Sequence, residues 1–227
     1  MMKEPYKIID ISQPVSKNTA CFPGDTPFDY SLKASYRDNN SYNVTAFKMS
    51  PHIGTHTDAP AHVLEIMEKE NLVGNMPLAP FIGPCLVIDL CPCYTEIGLK
   101  DIEEKLRKKN IPPRILFRTH CQSRFDVFEE KSAYLSPEII DFLRGKGVQL
   151  IGVDTPSVDA INSKTLDVHH SLIAHGMTWL ENLDLTAAQE KVYFLSALPI
   201  KFIELEAAPV RAVLISFESI ESEGLLC

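Results

Sequence analysis

Apolar residues along this chain fall into short blocks separated by turns and charged stretches, and most blocks have the length and β-branching of strands. Lys7 to Ile11, Tyr42 to Met49, Pro84 to Leu90, Arg114 to Arg118, Val148 to Val153 and Val210 to Phe217 read this way. Helical spacing is rarer. Asp101 to Asn110 carries Ile102 and Leu106 one turn apart, with its charges elsewhere. A second helix follows Ser136, a capping residue, with Pro137 at its first position, Ile139, Ile140 and Leu143 as its apolar face, and Gly145 to close it. A third spans Asp167 to His175 and stops at Gly176. Strands outnumber helices, and the two alternate only in the middle third. The pattern predicts a mixed, strand-rich α/β fold and argues against a continuous doubly wound sheet.

With 227 residues, 25.4 kDa and no repeat or linker composition, residues 1–227 are expected to form a single domain. A hydrophobic fraction of 45% and a charged fraction of 23% match ordinary soluble globular proteins. The net charge of -8 would repel a phosphate backbone, so nucleic acid is not an expected partner. The basic run from Lys105 to Lys109 reads as a solvated helix face. The opening MMKEPYKIIDIS lacks the apolar core of a secretory signal, and no apolar run could span a bilayer, so a cytoplasmic location without membrane attachment is expected. Six cysteines in a chain of this length suggest reduced thiols, and Cys91-Pro92-Cys93 alone is weak support for a metal or redox role.

One segment changes the picture. PHIGTHTDAPAH, from Pro51 to His62, holds three of the chain's 7 histidines together with Asp58. On a helix Asp58 would turn away from His52 and His56, and Gly54 and Pro60 disfavour a helix interior, so an irregular loop following a strand is expected. There imidazole nitrogens and a carboxylate can converge on one divalent cation, a ligand set suited to Zn²⁺ and acceptable to Mn²⁺. Gly54 would permit a tight bend. A closed structural zinc site often uses four cysteines, whereas histidine and carboxylate ligands with further polar residues elsewhere point to a site open to substrate.

Those further residues lie in LDVHHSLIAHGMTWLENLDL, which holds His169, His170, His175, Glu181 and Asp184. His169 and His170 point about 100° apart on a helix, so one metal would take one of them, and periodicity does not choose. His170 and His175 read as a polar helix face rather than as ligands.

Together these motifs resemble the cyclase-like metal-dependent hydrolases, and among them the kynurenine formamidase (arylformamidase) branch. HIGTHTDAPAH fits the HxGTHxDxPxH pattern of that family. IDISQPVSKNTACFPGDTPF, GVDTPSVDAINSKTLDVHH, LENLDL, LPIKF and PVRAVL resemble its other segments in the same order, nearly end to end. The resemblance implies a swivelling β/β/α fold and a two-metal site. In it His52, His56 and Asp58 would hold one Zn²⁺ ion, and Asp58 would bridge to a second held by His169 and Glu181. His62 would be the catalytic acid/base. It further implies hydrolysis of N-formyl-L-kynurenine to L-kynurenine and formate, and a homodimer or dimer-based oligomer.

That chemistry has a physical basis. Zinc lowers the pKa of bound water from 15.7 to roughly 7 and polarises a carbonyl. A histidine near its ordinary pKa can take the water proton and hand it to the departing aniline nitrogen. Where the family commonly places a tryptophan against the substrate ring, this chain has Phe22, which keeps a ring face but loses area and the indole N–H. A sister hydrolase opening another amide or a lactam such as isatin is therefore a second reading, and a non-catalytic metal-binding protein a third. No GxSxG pentapeptide supports a serine nucleophile. Cys121 and its neighbour His120 read as packing or capping the end of the Arg114 to Arg118 strand.

Overall fold

The computed structural model describes residues 7–38, 40–107 and 110–216. Its centre is a seven-stranded sheet in the spatial order Ile8–Asp10, Val213–Ile215, Val192–Ser196, Ile82–Asp89, Arg114–Arg118, Leu150–Val153, Thr178–Leu180. The last four run parallel to one another, and the remaining pairs are antiparallel. The parallel part is the stretch in which strand and helix patterns alternate, because parallel neighbours need a crossover long enough to hold a helix. Strand-rich α/β architecture is thus confirmed.

Three helices complete this part: α1 (Leu99–Leu106), α2 (Pro137–Gly145) and α3 (Asp167–Ala174). α1 begins earlier than its apolar spacing suggests because the Asp101 carboxylate accepts the Gly98 N–H at 2.8 Å. Lys108 and Lys109, in the expected last turn, lie outside the described residues. α2 has Pro137 at its start as expected, yet the Ser136 hydroxyl makes no capping bond. Gly176, at φ +61°, ends α3. Alternation along the strands divides the core. Leu86, Ile88, Ile115 and Phe117 meet Ile102, Ile140, Leu143 and Leu172 from the helices, while Cys85, Val87, Leu116 and Leu150 pack on the other face with Phe81, Leu183 and Leu195.

Among the strands missing from the sequence reading are Asp29–Ala34, Thr178–Leu180 and Val192–Ser196. The first is exposed, the second is only three residues long, and the third follows a run of turn-like residues. The Val210 to Phe217 block forms a strand only at Val213–Ile215, and Phe217 lies outside the described residues. Thiol chemistry also differs from expectation, since Cys91 and Cys121 form a disulfide with their Cα atoms 5.8 Å apart. Cys21, Cys85 and Cys93 are free, and Cys227 lies outside the described residues. Among the described residues no helix is long and apolar enough to cross a membrane.

The Leu150–Val153 strand approaches its neighbours through Gly152. A Cβ there would lie 2.4 Å from Leu116 Cδ2 and 2.7 Å from Leu183 Cδ1. Gly152→Ala is expected to destabilise the protein by about 1–3 kcal/mol through overpacking. Denaturant titration checks this, and an unchanged midpoint would show that the two leucines reorient freely.

Candidate metal centre

The site is assembled where the parallel strands end. Glu181 follows the Thr178–Leu180 strand, Asp154 follows Leu150–Val153, and Thr119 and His120 follow Arg114–Arg118. Ligand sites in open α/β sheets characteristically lie outside these carboxyl ends. Opposite them runs the histidine motif, and here the expectation of an irregular loop needs correction. His56–Asp58 is a short strand pairing with Ala207–Pro209, and Pro60–His62 is a 3-10 turn. The two-residue period of a strand sets His56 and Asp58 on one face. Gly54 makes the bend before them at φ +66°. His56 also exchanges backbone hydrogen bonds with Glu181, through its N–H at 3.3 Å and its carbonyl at 3.1 Å. That pairing joins motifs far apart in sequence.

Distances define the cluster. His52 Nδ1 lies 2.9 Å from Asp58 Oδ1, and His56 Nε2 lies 3.4 Å from Asp58 Oδ1 and 3.4 Å from Glu181 Oε2. His169 Nε2 lies 3.7 Å from Asp58 Oδ2 and 3.5 Å from Glu181 Oε1. His62 is exposed, its ring 4.5 Å from that of His52 and 5.7 Å from that of His169. Two sets have ligand atoms within 4.8 Å of one another, His52/His56/Asp58 and Asp58/His62/His169. His170 is exposed on α3, and His175 Nε2 lies 2.7 Å from the accepting carboxylate of Asp141 on α2, away from the cluster.

The far side of each buried imidazole is held. His56 Nδ1 is 2.9 Å from the Gly54 carbonyl, and His169 Nδ1 is 2.6 Å from Asp159 Oδ2. His52 Nε2 is 3.3 Å from Glu206 Oε1. This arrangement orients ring nitrogens toward a common centre, as outer partners of metal-bound histidines do. His56 Nε2 and Asp58 Oδ1 are buried and make no hydrogen bond, although oppositely polarised neighbours lie close to both. Atoms aimed at a shared ion rather than at each other have this geometry. Trp179 stands edge-on to His169 with centroids 5.2 Å apart, and its Nε1–H donates to Asp58 Oδ2 at 3.3 Å.

The local potential is strongly negative. Burial alone would lower the pKa of His56 and His169, but Asp58 and Glu181 beside the first, and Asp159, Asp58 and Glu181 beside the second, push both up to about 10. Burial raises Asp58, and His56, His169 and His52 outweigh it, holding the carboxyl well below its ordinary range. A field that favours protonated imidazole equally favours a divalent cation. His62 moves the other way, lowered by desolvation and by the neighbouring imidazoles of His52 and His169 against the pull of Asp58 and Glu181.

The cluster opens into a cavity of about 590 Å³. Phe22 lines it and stands edge-on to Phe128, with centroids 5.0 Å apart. The loop carrying Phe128 is anchored by Asp154, which accepts the backbone N–H groups of Thr119 at 2.7 Å and His120 at 2.9 Å. His120 Nε2 meets Glu129 Oε2 at 2.7 Å. His120 and Cys121 therefore do more than cap a strand, the first lining the cavity and the second tying its loop to Cys91. Sequence reasoning missed Asp159, Trp179, Glu206 and Phe128. Asp159 was within reach, since it lies in the GVDTPSVD segment, but nothing in its pattern reveals that it backs His169.

Comparison with known proteins places the chain in a family. Residues 9–160 match the family described as "Putative cyclase", and the chain belongs to that cyclase family. It is 41% identical over 211 residues to the kynurenine formamidase of Bordetella pertussis, covering 92% of this chain and 97% of the relative. The kynurenine formamidase of Bordetella petrii is 41% identical over 210 residues, with the same coverage. The resemblance carried by the motifs is thereby borne out. Isatin hydrolase A from Labrenzia aggregata superimposes with a TM-score of 0.80 at 22% identity, covering 93% of this chain and 94% of that one. A potential metal-dependent hydrolase with cyclase activity gives 0.76 at 23% identity, covering 93% and 98%. These two likenesses concern the fold.

Proposed function

We propose that the chain is a metal-dependent hydrolase that converts N-formyl-L-kynurenine and water to L-kynurenine and formate. The observation that carries this reading is the convergence of His52, His56, Asp58, His169 and Glu181, each buried imidazole braced from behind. Full-length relatives named kynurenine formamidase support the substrate. His52, His56 and Asp58 would hold one ion, and Asp58, His169 and Glu181 a second. Zn²⁺ suits this nitrogen and oxygen set, with Mn²⁺ as the alternative. A divalent cation supplies Lewis acidity, lowering the pKa of water and polarising the formyl carbonyl.

The chain's own residues do the rest. His62, accessible from the cavity, accepts a proton from the attacking water and delivers it to the aniline nitrogen as the C–N bond breaks. Phe22 and Phe128 offer ring faces and edges to the aryl group. Trp179 and Asp159 orient Asp58 and His169. The Asp29–Ala34 and Val44–Lys48 hairpin exposes Tyr30, Leu32, Val44 and Phe47, and a two-stranded hairpin bare on both faces needs cover. This supports a homodimer; residues 1–227 would form a single domain, and the sequence lacks a secretory signal pattern, which supports a cytoplasmic location.

One preparation tests the reading. Purified protein is expected to carry two Zn²⁺ per chain by elemental analysis and to release formate from N-formyl-L-kynurenine in preference to opening isatin. Removal of metal by chelator should abolish turnover, and added Zn²⁺ or Mn²⁺ should restore it. Ring opening of isatin with no formate release from formylkynurenine would replace this reading with the sister hydrolase.

A further inference from the structure

The acidic groups lining the cavity outside the metal cluster all have partners. Asp154 accepts from Thr119 and His120, Asp184 from Thr186, Asp25 from the Thr26 N–H, and Glu129 faces His120. The two cations lining the same cavity differ. Among the described residues, neither Arg124 nor Lys164 makes an ion pair or a side-chain hydrogen bond. They come from separate segments, Arg124 from the loop after the Arg114–Arg118 strand and Lys164 from the turn before α3. In a chain of net charge -8, with carboxylates abundant for pairing, two unpaired cations facing one cavity mark a place suited to an anion.

Both are exposed, whereas Asp58, His169 and Glu181 are buried, so the cations stand at the mouth and the metal cluster inside. Phe22 and Phe128 line the same space. A guanidinium fork and an ammonium group match a carboxylate in shape and charge, the planar fork pairing with both oxygens. The cavity volume of about 590 Å³ is in the range of small-molecule sites. A ligand that fits throughout has an amide at one end, an aromatic ring next and a carboxylate at the other.

We propose that Arg124 and Lys164 form a carboxylate-binding mouth, making the enzyme selective for aryl formamides that carry an amino-acid carboxylate over those that lack it. This rests on the formamidase reading above. The interactions are made equally in ground and transition states, so they should act mainly through KM.

The test compares kcat/KM for N-formyl-L-kynurenine with that for formanilide, which has the same reacting amide and no carboxylate. In wild-type protein the ratio should favour formylkynurenine and decline with added salt. Arg124→Ala and Lys164→Ala should each lower the ratio by about 10- to 100-fold, the worth of a charge-assisted hydrogen bond, and the double variant should lower it further. Arg124→Lys should retain an intermediate ratio. Wild-type and double-variant enzymes that both turn over the two substrates at an unchanged ratio would overturn the carboxylate mouth and leave the formamidase reading standing. A metal-loaded wild-type enzyme that hydrolyses neither substrate would overturn both.

Discussion

Asp58→Asn is expected to yield a folded protein whose metal affinity falls by more than about 100-fold, with formate release falling alongside. Loss of a partner that only orients a ligand already costs 10- to 100-fold, and Asp58 lies at the centre of the cluster. Its Oδ1 faces His52 and His56, its Oδ2 faces His169, and Trp179 donates to it. Asparagine keeps the volume and a hydrogen-bond acceptor but removes the charge that would be shared between two cations. The effect should therefore reach both ions. Elemental analysis and metal titration measure it, with circular dichroism to establish folding. Wild-type metal content in a folded D58N protein would remove Asp58 as the common ligand.

His62→Ala separates proton transfer from metal binding. The variant is expected to retain its metal while kcat falls by about 10²- to 10⁴-fold, the usual contribution of a positioned acid/base. His62 is exposed, its ring is tilted 48° to that of His52 and 47° to that of His169, and among the described residues no hydrogen-bond partner braces its far side, whereas a carbonyl holds His56 and a carboxylate holds His169. It nonetheless lies within ligand distance of Asp58 and His169. Metal analysis decides between the two roles. Stoichiometric loss of an ion from H62A would make His62 a ligand, and full activity with full metal would take it out of the reaction.

The site was legible to different depths. The HxGTHxDxPxH spacing was visible because its donors lie within one short segment. The choice between His169 and His170 was not available from helical periodicity, since both belong to one polar turn. It depended on family resemblance, and in the structure His169 is buried against Asp159 while His170 is exposed. Glu206 gave no signal because it acts through the pairing of Ala207–Pro209 with His56–Asp58, a contact between remote segments. The disulfide was missed for a related reason. Cys91 and Cys121 are 30 residues apart, and only the side-by-side ends of two parallel strands bring them together.

Local periodicity and turn chemistry, then, determined the strand-rich α/β class, the three helices and the cation-binding character of the histidine segment, because side-chain alternation, caps and donor type are properties of neighbouring residues. Tertiary structure alone decided that His56 pairs with Glu181, that Asp159 and Glu206 brace two imidazoles, and that Arg124 and Lys164 face one cavity. Those juxtapositions follow from strand order, register and loop packing, which bring together residues from 10 positions apart, as with Asp159 and His169, to 154 apart, as with His52 and Glu206.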